Sequence, residues 1–428
     1  MKFLTVTQGC KVNHCDSEVI SQYMLSKGYE PAEDGEAPDI IIVNSCTVTE
    51  NSDKKGFRII SRLRRDYPEA VVVLTGCYPQ AFPDEAEKNG NADIVVGNAA
   101  KESIPELVEE HLRSGKAECF YKSHSRVFEE TEEFSHTENT RAYIKIEDGC
   151  DRFCSYCIIP KARGKVRSKG LDRIAAETRF HAEDGHKEIV LTGINLSCYG
   201  TDIGLSLYDA VRTAAEEPLI ERVRLSSLEP ELLTGELIER LAGVEKLCPH
   251  FHLSLQSGCS STLKRMNRRY SAEEYRKIAE GLRKAFPGCG ITTDVMVGFA
   301  GETDEEYEQS VEFVRSMRFA KVHVFTYSIR PGTAAAKMEN QIAADVKERR
   351  YKKMSEIAES ARKEFWGRNV GTVHRVLIER QISPDHINGY TENYIPVRIF
   401  GGKAKRHDIV EAEITGVEKE FCVGRETT

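Results

Sequence analysis

Three times in its first third the chain runs through a short, unbroken apolar stretch rich in β-branched residues and then reaches a cysteine. The runs Phe3-Leu4-Thr5-Val6, Ile40-Ile41-Ile42-Val43 and Val71-Val72-Val73-Leu74 lead to Cys10, Cys46 and Cys77. Apolar runs without alternation suit strands buried on both faces, as in a parallel sheet. Helical patterns fill the gaps at residues 17–27 and 53–66. This alternation predicts a doubly wound α/β unit over residues 1–115, in which the carboxyl ends of the parallel strands share one edge. Three cysteines far apart in sequence would then meet in space. Cysteine is also among the most buried residue types, so three strands that merely end in buried thiols suit the pattern equally.

Residues 114–140 are polar and weakly periodic and read as a connector. A second β/α alternation occupies residues 140–365, with strands expected at 142–146, 188–191, 222–225, 251–255, 292–297 and 322–325 and helices at 171–183 and 305–317. Six βα units are too few to close a full barrel. The expected form is a partial (β/α)6 barrel with an open side, ended by a long charged helix over 345–363. After Trp366 the texture changes to short β-rich runs at 373–379, 394–400 and 409–417, which predicts a small all-β barrel over residues 366–428.

Composition narrows the chemistry. No apolar run approaches the roughly 20 residues of a membrane-spanning helix, and the first residues turn polar too soon for a signal peptide. A cytoplasmic protein with no membrane partner is expected. Thirteen cysteines in such a chain point to metal or catalysis, because the cytosol keeps thiols reduced. The net charge of −8 excludes a uniformly basic nucleic-acid binder, yet residues 362–408 hold nine Lys and Arg against five Asp and Glu.

The sharpest local signal is Cys150-Asp151-Arg152-Phe153-Cys154-Ser155-Tyr156-Cys157, just after the first barrel strand. Three thiolates on one tight loop suit three irons of a cubane cluster, leaving the last iron open to chelate the amino and carboxylate groups of a methionine moiety. A structural zinc ion would need a complete tetrahedral set, and no further Cys or His stands at zinc-like spacing nearby.

This Cys-x3-Cys-x2-Cys loop resembles the signature of the radical S-adenosylmethionine (SAM) superfamily. With Gly9-Cys10-Lys11-Val12-Asn13, Asn44-Ser45-Cys46-Thr47-Val48-Thr49, Thr75-Gly76-Cys77, Leu191-Thr192-Gly193-Ile194-Asn195 and Thr293-Asp294-Val295-Met296-Val297-Gly298-Phe299, nearly the whole chain resembles the tRNA methylthiotransferase family. The resemblance implies two [4Fe-4S] clusters, one on Cys150, Cys154 and Cys157 and one on Cys10, Cys46 and Cys77, with SAM as cofactor. It implies a TRAM-like RNA-binding C-terminal barrel. It also implies a reaction that spends one SAM to methylate a held sulfur and a second to make the 5′-deoxyadenosyl radical that takes hydrogen from C2 of an adenine. The partners would be the anticodon stem-loop of tRNA and an electron donor such as a flavodoxin or ferredoxin. Gly9 to Asn13 and Tyr390-Thr391-Glu392-Asn393-Tyr394 resemble the branch that acts on N6-threonylcarbamoyladenosine at position 37. Isopentenylated adenosine as substrate, an aspartate of a ribosomal protein as substrate, which would not need a basic final barrel, or a non-catalytic iron–sulfur RNA-binding protein, are the alternatives.

Barrel enzymes keep their active sites at the carboxyl ends of the strands, which nominates further residues. Tyr156 precedes the last ligand and is placed to pack beside the adenine, and Gly193 and Asn195 end the second strand, where the resemblance to related enzymes implies a contact with the methionine amino group. Ser254 and Gln256 suit ribose or carboxylate hydrogen bonds. Asp294, read as catalytic with the loop cysteines, and Gly298 lie on the fifth strand. A turn glycine or a satisfied strand-end polar group is the competing reading for each. Lys161, Arg163, Lys165, Arg167 and Lys169 stand at alternate positions, so an extended chain would display them on one side; such a row suits a solvated surface, and its place beside the cysteine loop favours phosphate contacts. Lys264, Arg265, Arg268 and Arg269 form a second basic group, and Arg398, Lys403, Lys405 and Arg406 a third. Tyr390 and Tyr394 suit either base stacking or packing within the barrel. The other cysteines, Cys15, Cys119, Cys198, Cys248, Cys259, Cys289 and Cys422, have no usable partner spacing.

Overall fold

The β-branched runs pair side by side. A computed structural model describes residues 1–427 apart from 34, 89, 132 and 384. Its first sheet holds six parallel strands, β1 (Lys2–Thr7), β2 (Glu30–Pro31), β3 (Ile40–Ser45), β4 (Val71–Gly76), β5 (Ile94–Val96) and β6 (Glu118–Phe120), in the order β2-β1-β3-β4-β5-β6. Every residue of β3 and β4 is buried, which explains their unbroken apolar character. Helices Lys11–Ser26, Glu50–Asp66 and Ile104–Ser114 connect the strands. The first two begin earlier than their apolar pattern does, the second because the Thr49 hydroxyl accepts from the Ser52 amide at 3.2 Å. The strand order turns back between β1 and β3, the place where doubly wound sheets leave a crevice at their carboxyl edge.

Next come β7 (Ala142–Lys145), the short antiparallel pair β8 (Glu147–Asp148) and β9 (Arg167–Ser168), then β10 (Glu188–Thr192), β11 (Arg222–Leu225), β12 (Ser227–Leu228), β13 (His250–Leu253), β14 (Gly290–Val297) and β15 (Lys321–Thr326). β11 and β12 are one path broken at Ser226. The parallel runs β7-β10-β11 and β12-β13-β14-β15 therefore form the expected six-stranded partial barrel, open between β7 and β15. Ile189, Leu191, Val223, Leu225, Phe251 and Leu253 join the apolar core shared with the helices. The alternate residues Glu188, Arg222, Arg224, His250 and His252 consequently face the lumen. The sheet unit packs against the free edge at β7, where Lys145 donates to Asp16 at 2.5 Å.

Helix Ala344–Arg368 ends by inserting Phe365 and Trp366 into the core of a closed five-stranded barrel. Its strands β16 (Val373–Ser383), β17 (His386–Thr391), β18 (Pro396–Phe400), β19 (Ile409–Val417) and β20 (Cys422–Glu426) close in the order β16-β17-β18-β20-β19. The strand expected from 394 starts at Pro396, because residues 391–395 form a turn pinned by the Thr391 hydroxyl, which accepts from the Ile395 amide at 2.8 Å.

That turn closes the base of the larger barrel. Arg224 donates to the carbonyls of Glu392 at 3.0 Å and Thr391 at 3.5 Å, and Arg222 to the carbonyl of Tyr390 at 3.3 Å. Gly290 leaves the needed room, since a Cβ there would lie 2.4 Å from the Asn393 oxygen. Tyr394 stacks on Tyr390 at 4.9 Å and on His250 at 4.6 Å, with the Arg141 guanidinium 5.1 Å from both tyrosine rings. These rings are thus engaged at the junction between the two barrels, and the base-stacking reading of Tyr390 and Tyr394 is replaced by packing.

Candidate active site

The cysteine loop leaves β8 through Gly149, whose φ is +89°; a side chain there would lie 2.0 Å from the Lys165 carbonyl oxygen. Only glycine fits such a position. The Cys150 amide donates to the Gly164 oxygen and the Cys157 amide to the Cys154 oxygen, both at 3.0 Å. The segment after β13 holds the loop from outside. The Ser155 amide donates to the Met266 carbonyl at 3.0 Å, and the Asn267 amide group to the Phe153 carbonyl at 2.9 Å. Arg268, paired with Glu229, donates to Cys154 Sγ at 3.2 Å. Asn195 Nδ2 lies 3.8 Å from Cys150 Sγ.

The other three cysteines come from three different strand ends. Cys10 caps helix Lys11–Ser26, Cys46 follows β3, and Cys77 opens the short helix Cys77–Ala81. A Cβ on Gly9 would meet the Cys46 Cβ at 2.9 Å, so the first two ends touch. Gly76, with φ +98°, could not carry a side chain, because Asn44 Oδ1 would lie at 2.4 Å and the Ser45 oxygen at 2.5 Å. Arg163 Nε donates to Cys77 Sγ at 3.2 Å.

Burial pushes the thiols of Cys77, Cys150 and Cys157 up to about 12, with Arg163 pulling against it at Cys77. Such thiols stay protonated until a metal displaces the proton. Among the described residues no group of three or more His, Cys, Asp or Glu converges as the ligands of a single ion would. A cubane, which takes each thiolate on a different iron, suits a looser triad.

Beside the loop triad, where the sheet unit meets the barrel, lies a cavity of about 190 Å³, lined by Val48 and Thr49 from the sheet unit and by Tyr156, Cys157, Gln256, Asp294, Met296 and Phe325 from the barrel. Arg330 ties the two units beside it, donating to Asp53 at 2.6 Å and to the Thr47 hydroxyl at 2.5 Å. Gln256, at φ +70°, is stitched to β14 by the Asp294 carbonyl and the Met296 amide, both at 2.8 Å. Asp294 also stands 3.4 Å from His252. Of the residues nominated from sequence, Tyr156, Cys157, Gln256 and Asp294 line this cavity.

The remaining nominees do not line it. Ser254 turns its carbonyl to the Tyr270 hydroxyl at 2.7 Å. Gly193 is a clearance for Glu147, whose Oε2 would lie 2.6 Å from a Cβ, and Gly298, at φ +69°, lies under the Lys347 stem. The Asn195 backbone amide donates to Glu147 Oε2 at 2.7 Å, while Asn195 Oδ1 and Glu147 Oε1 are buried without a partner among the described residues. Burial raises the Glu147 carboxyl well above its ordinary range.

The basic row 161–169 is not a phosphate track. Lys161 and Arg163 belong to helix Ile159–Arg163, and Gly164 breaks the alternation at φ +72°. Arg163, Arg167 and Lys169 are buried, paired with Asp16, Asp148 and Glu177. In the second group Arg265 is tied to Glu306 and Arg268 to Glu229. Sequence reasoning assigned Arg163 and Arg268 to RNA, whereas both serve cysteine sulfurs, and it passed over Glu147. The only available sign was their position beside the cysteine motif or at a strand end.

Three family descriptions match the chain in order: "Uncharacterized protein family UPF0004" over residues 2–97, "Radical SAM superfamily" over 144–314 and "TRAM domain" over 367–425. Among solved structures, the radical S-adenosylmethionine methyltransferase TsrM from Kitasatospora setae shares the fold, with a TM-score of 0.56 and 15% identity over 76% of this chain and 72% of that one. Fold and cysteine loop together define a radical SAM enzyme, with its [4Fe-4S] cluster and SAM.

Closer likenesses are found among curated sequences. Threonylcarbamoyladenosine tRNA methylthiotransferase MtaB of Aquifex aeolicus (strain VF5) is 36% identical over 408 residues, 94% of this chain and 98% of that protein. The enzyme of the same name from Thermotoga maritima is 38% identical over 400 residues, 93% and 91%. The tRNA-2-methylthio-N(6)-dimethylallyladenosine synthase of Pelotomaculum thermopropionicum is 34% identical over 441 residues, 99% and 97%. The chain belongs to the tRNA methylthiotransferase family, whose substrate is tRNA. No helix among the described residues is long and apolar enough to cross a membrane.

Proposed function

We propose that the protein inserts a methylthio group at C2 of N6-threonylcarbamoyladenosine at position 37 of tRNA, with one [4Fe-4S] cluster on each cysteine triad. The observation that carries this is the shared cavity: Cys157 of the loop triad and Val48, two residues after Cys46, stand in its wall. A base entering there would lie against Cys157 and against the chain two residues beyond Cys46. The relatives named for threonylcarbamoyladenosine, together with Gly9 to Asn13, favour that branch over the isopentenylated one.

SAM, when bound, supplies the methyl group and the radical. The chain supplies position. Glu147 Oε1 and Asn195 Oδ1, both lacking partners, would accept from the methionine amino group beside Cys150, and Tyr156 would flank the adenine. Gln256 and Asp294 face the same space. Ser254, Gly193 and Gly298 keep at most backbone roles. We assign residues 1–115, 140–365 and 366–428 as the three units, a cytoplasmic location, and electron supply by a small carrier such as a flavodoxin or ferredoxin.

In the C-terminal barrel, Arg398 covers the Phe421 ring at 3.9 Å and Arg406 donates to Thr140 at 2.9 Å. Lys403 and Lys405 are exposed and, among the described residues, pair with no carboxylate, so they are the cations assigned to phosphates. Cutting the chain after Glu364 would strip Phe365 and Trp366 from a shared core and take from Arg222 and Arg224 their carbonyl acceptors in the small barrel, leaving only Glu188 among the described residues, so point changes are the cleaner probe. The functional test is mass spectrometry of tRNA nucleosides from cells with and without the gene. Loss of 2-methylthio-N6-threonylcarbamoyladenosine is expected. Loss of the methylthio-isopentenyl nucleoside instead would overturn the substrate assignment.

A further inference from the structure

Arg163 is fully buried and every face of its guanidinium is used. Nε donates to Cys77 Sγ at 3.2 Å, Nη1 to both Asp148 oxygens at 3.2 Å, and Nη2 stands 2.9 Å from Asp16. Lys145 bridges the same carboxylates, at 2.5 Å from Asp16 and 3.3 Å from Asp148, and Arg167 lies 3.6 Å from Asp148. None of these five side chains is more than 6% exposed. Lys101, also close by, is neutralised by Glu129. The network therefore sets three cations against two carboxylates, and its surplus positive charge lies against a cysteine sulfur. A buried ion group left unbalanced is costly, so the surplus calls for an anionic neighbour. Burial pushes the Asp16 carboxyl up, but Lys145 and Arg163 overcome it and hold it below its ordinary range.

We propose that Arg163 is a positioning residue for the auxiliary cluster: it hydrogen-bonds the Cys77 sulfur and, as part of a network with one excess positive charge, favours the cluster's reduced form. The inference rests on the two-cluster reading above. Hydrogen bonds to the sulfurs and the charge around a cluster are the protein's levers on its potential. Because Asp148 stands two residues before Cys150, the same guanidinium also ties the two triads to one another.

An ion network that only glued the units together would change stability but not potential in a charge-ordered way. The test is an EPR-monitored redox titration of the full chain carrying Cys150, Cys154 and Cys157 as alanine, so that only the auxiliary cluster reports. Arg163→Lys, which keeps a charge but loses the forked geometry, should shift the midpoint downward. Asp16→Asn, which removes a negative charge, should shift it upward. Each shift is expected to be about tenfold in the reduced-to-oxidised ratio at a fixed poise, the scale of one charge-assisted hydrogen bond. Shifts in the same direction, or none, overturn the proposal. Should Arg163→Lys lose its iron, Asp16→Asn decides alone: an upward shift sustains the assignment and an unchanged midpoint overturns it. If the background protein holds no EPR-active cluster at all, the two-cluster reading fails, and this inference with it.

Discussion

Cys150, Cys154 and Cys157 occupy a single eight-residue loop, whereas Cys10, Cys46 and Cys77 come together only when three strands of one sheet have paired. The loop triad depends on local devices, a left-handed glycine and a few backbone hydrogen bonds. The strand-end triad depends on the whole sheet. Losing the sheet destroys the second site while the first can persist, so the two differ in how they fail.

The largest effects should come from removing ligands. Alanine at all three loop cysteines is expected to halve the iron of anaerobically reconstituted protein and abolish formation of 5′-deoxyadenosine; a full iron complement would contradict the assignment. Alanine at Cys10, Cys46 and Cys77 should also halve the iron, yet leave some 5′-deoxyadenosine and no methylthio product. Normal product there would show that the strand-end cysteines only pack.

A finer cut replaces the two glycines. Gly76→Ala should cost about 3 kcal/mol in unfolding free energy, since strain in the positive-φ region and a clash combine, and should deplete iron selectively from the strand-end triad. Gly149→Ala should spare the sheet, measured by urea denaturation, and empty the loop. If both variants lose the same iron, the two sites are not independent.

Protonation separates the sites more gently. Glu18 lies on the helix that starts at Cys10, and burial raises its carboxyl to about 7 against a hydrogen bond from Thr137. A carboxyl whose folded value is raised contributes stability fully present below its unfolded value near 4.5 and lost as pH climbs through 7. Glu18→Gln should accordingly be neutral at low pH and stabilising by about 2 kcal/mol at alkaline pH, allowing for partial solvation. The urea midpoint at both pH values is the readout, and an equal gain at both would refute the assignment.

The smallest effect concerns RNA and should leave both triads untouched. Replacing Lys403 and Lys405 with Ala should lower the slope of log affinity for tRNA against log salt by about 0.7 to 0.9 for each lost phosphate contact. An unchanged slope would move the RNA contact elsewhere.

The loop triad was legible because its meaning is local, and the sheet because β3 and β4 are buried on both faces and so carry no polar interruptions. The strands β17 and β20 left no such trace. They are short and contain Gly389 and Gly424, which close packing against Leu377 and Val397 demands but which read from sequence as breaks. The row from Lys161 to Lys169 misled for a related reason: alternation implies an extended chain only if nothing interrupts it, and a helical turn followed by Gly164 does. Glu147 was invisible because its importance lies in facing Asn195, 48 residues on.

The turn of residues 391–395, wedged into the floor of the larger barrel, ties the small barrel to the larger one and so holds Lys403 and Lys405 at a set distance from the cavity. Buried guanidinium contacts from Arg222 and Arg224 would have to break before the small barrel could swing. If Lys403 and Lys405 hold tRNA as proposed, the enzyme is a caliper: it would deliver to the cavity only a nucleotide lying one fixed reach away, so the choice of position along the RNA would be made by geometry before any base is read.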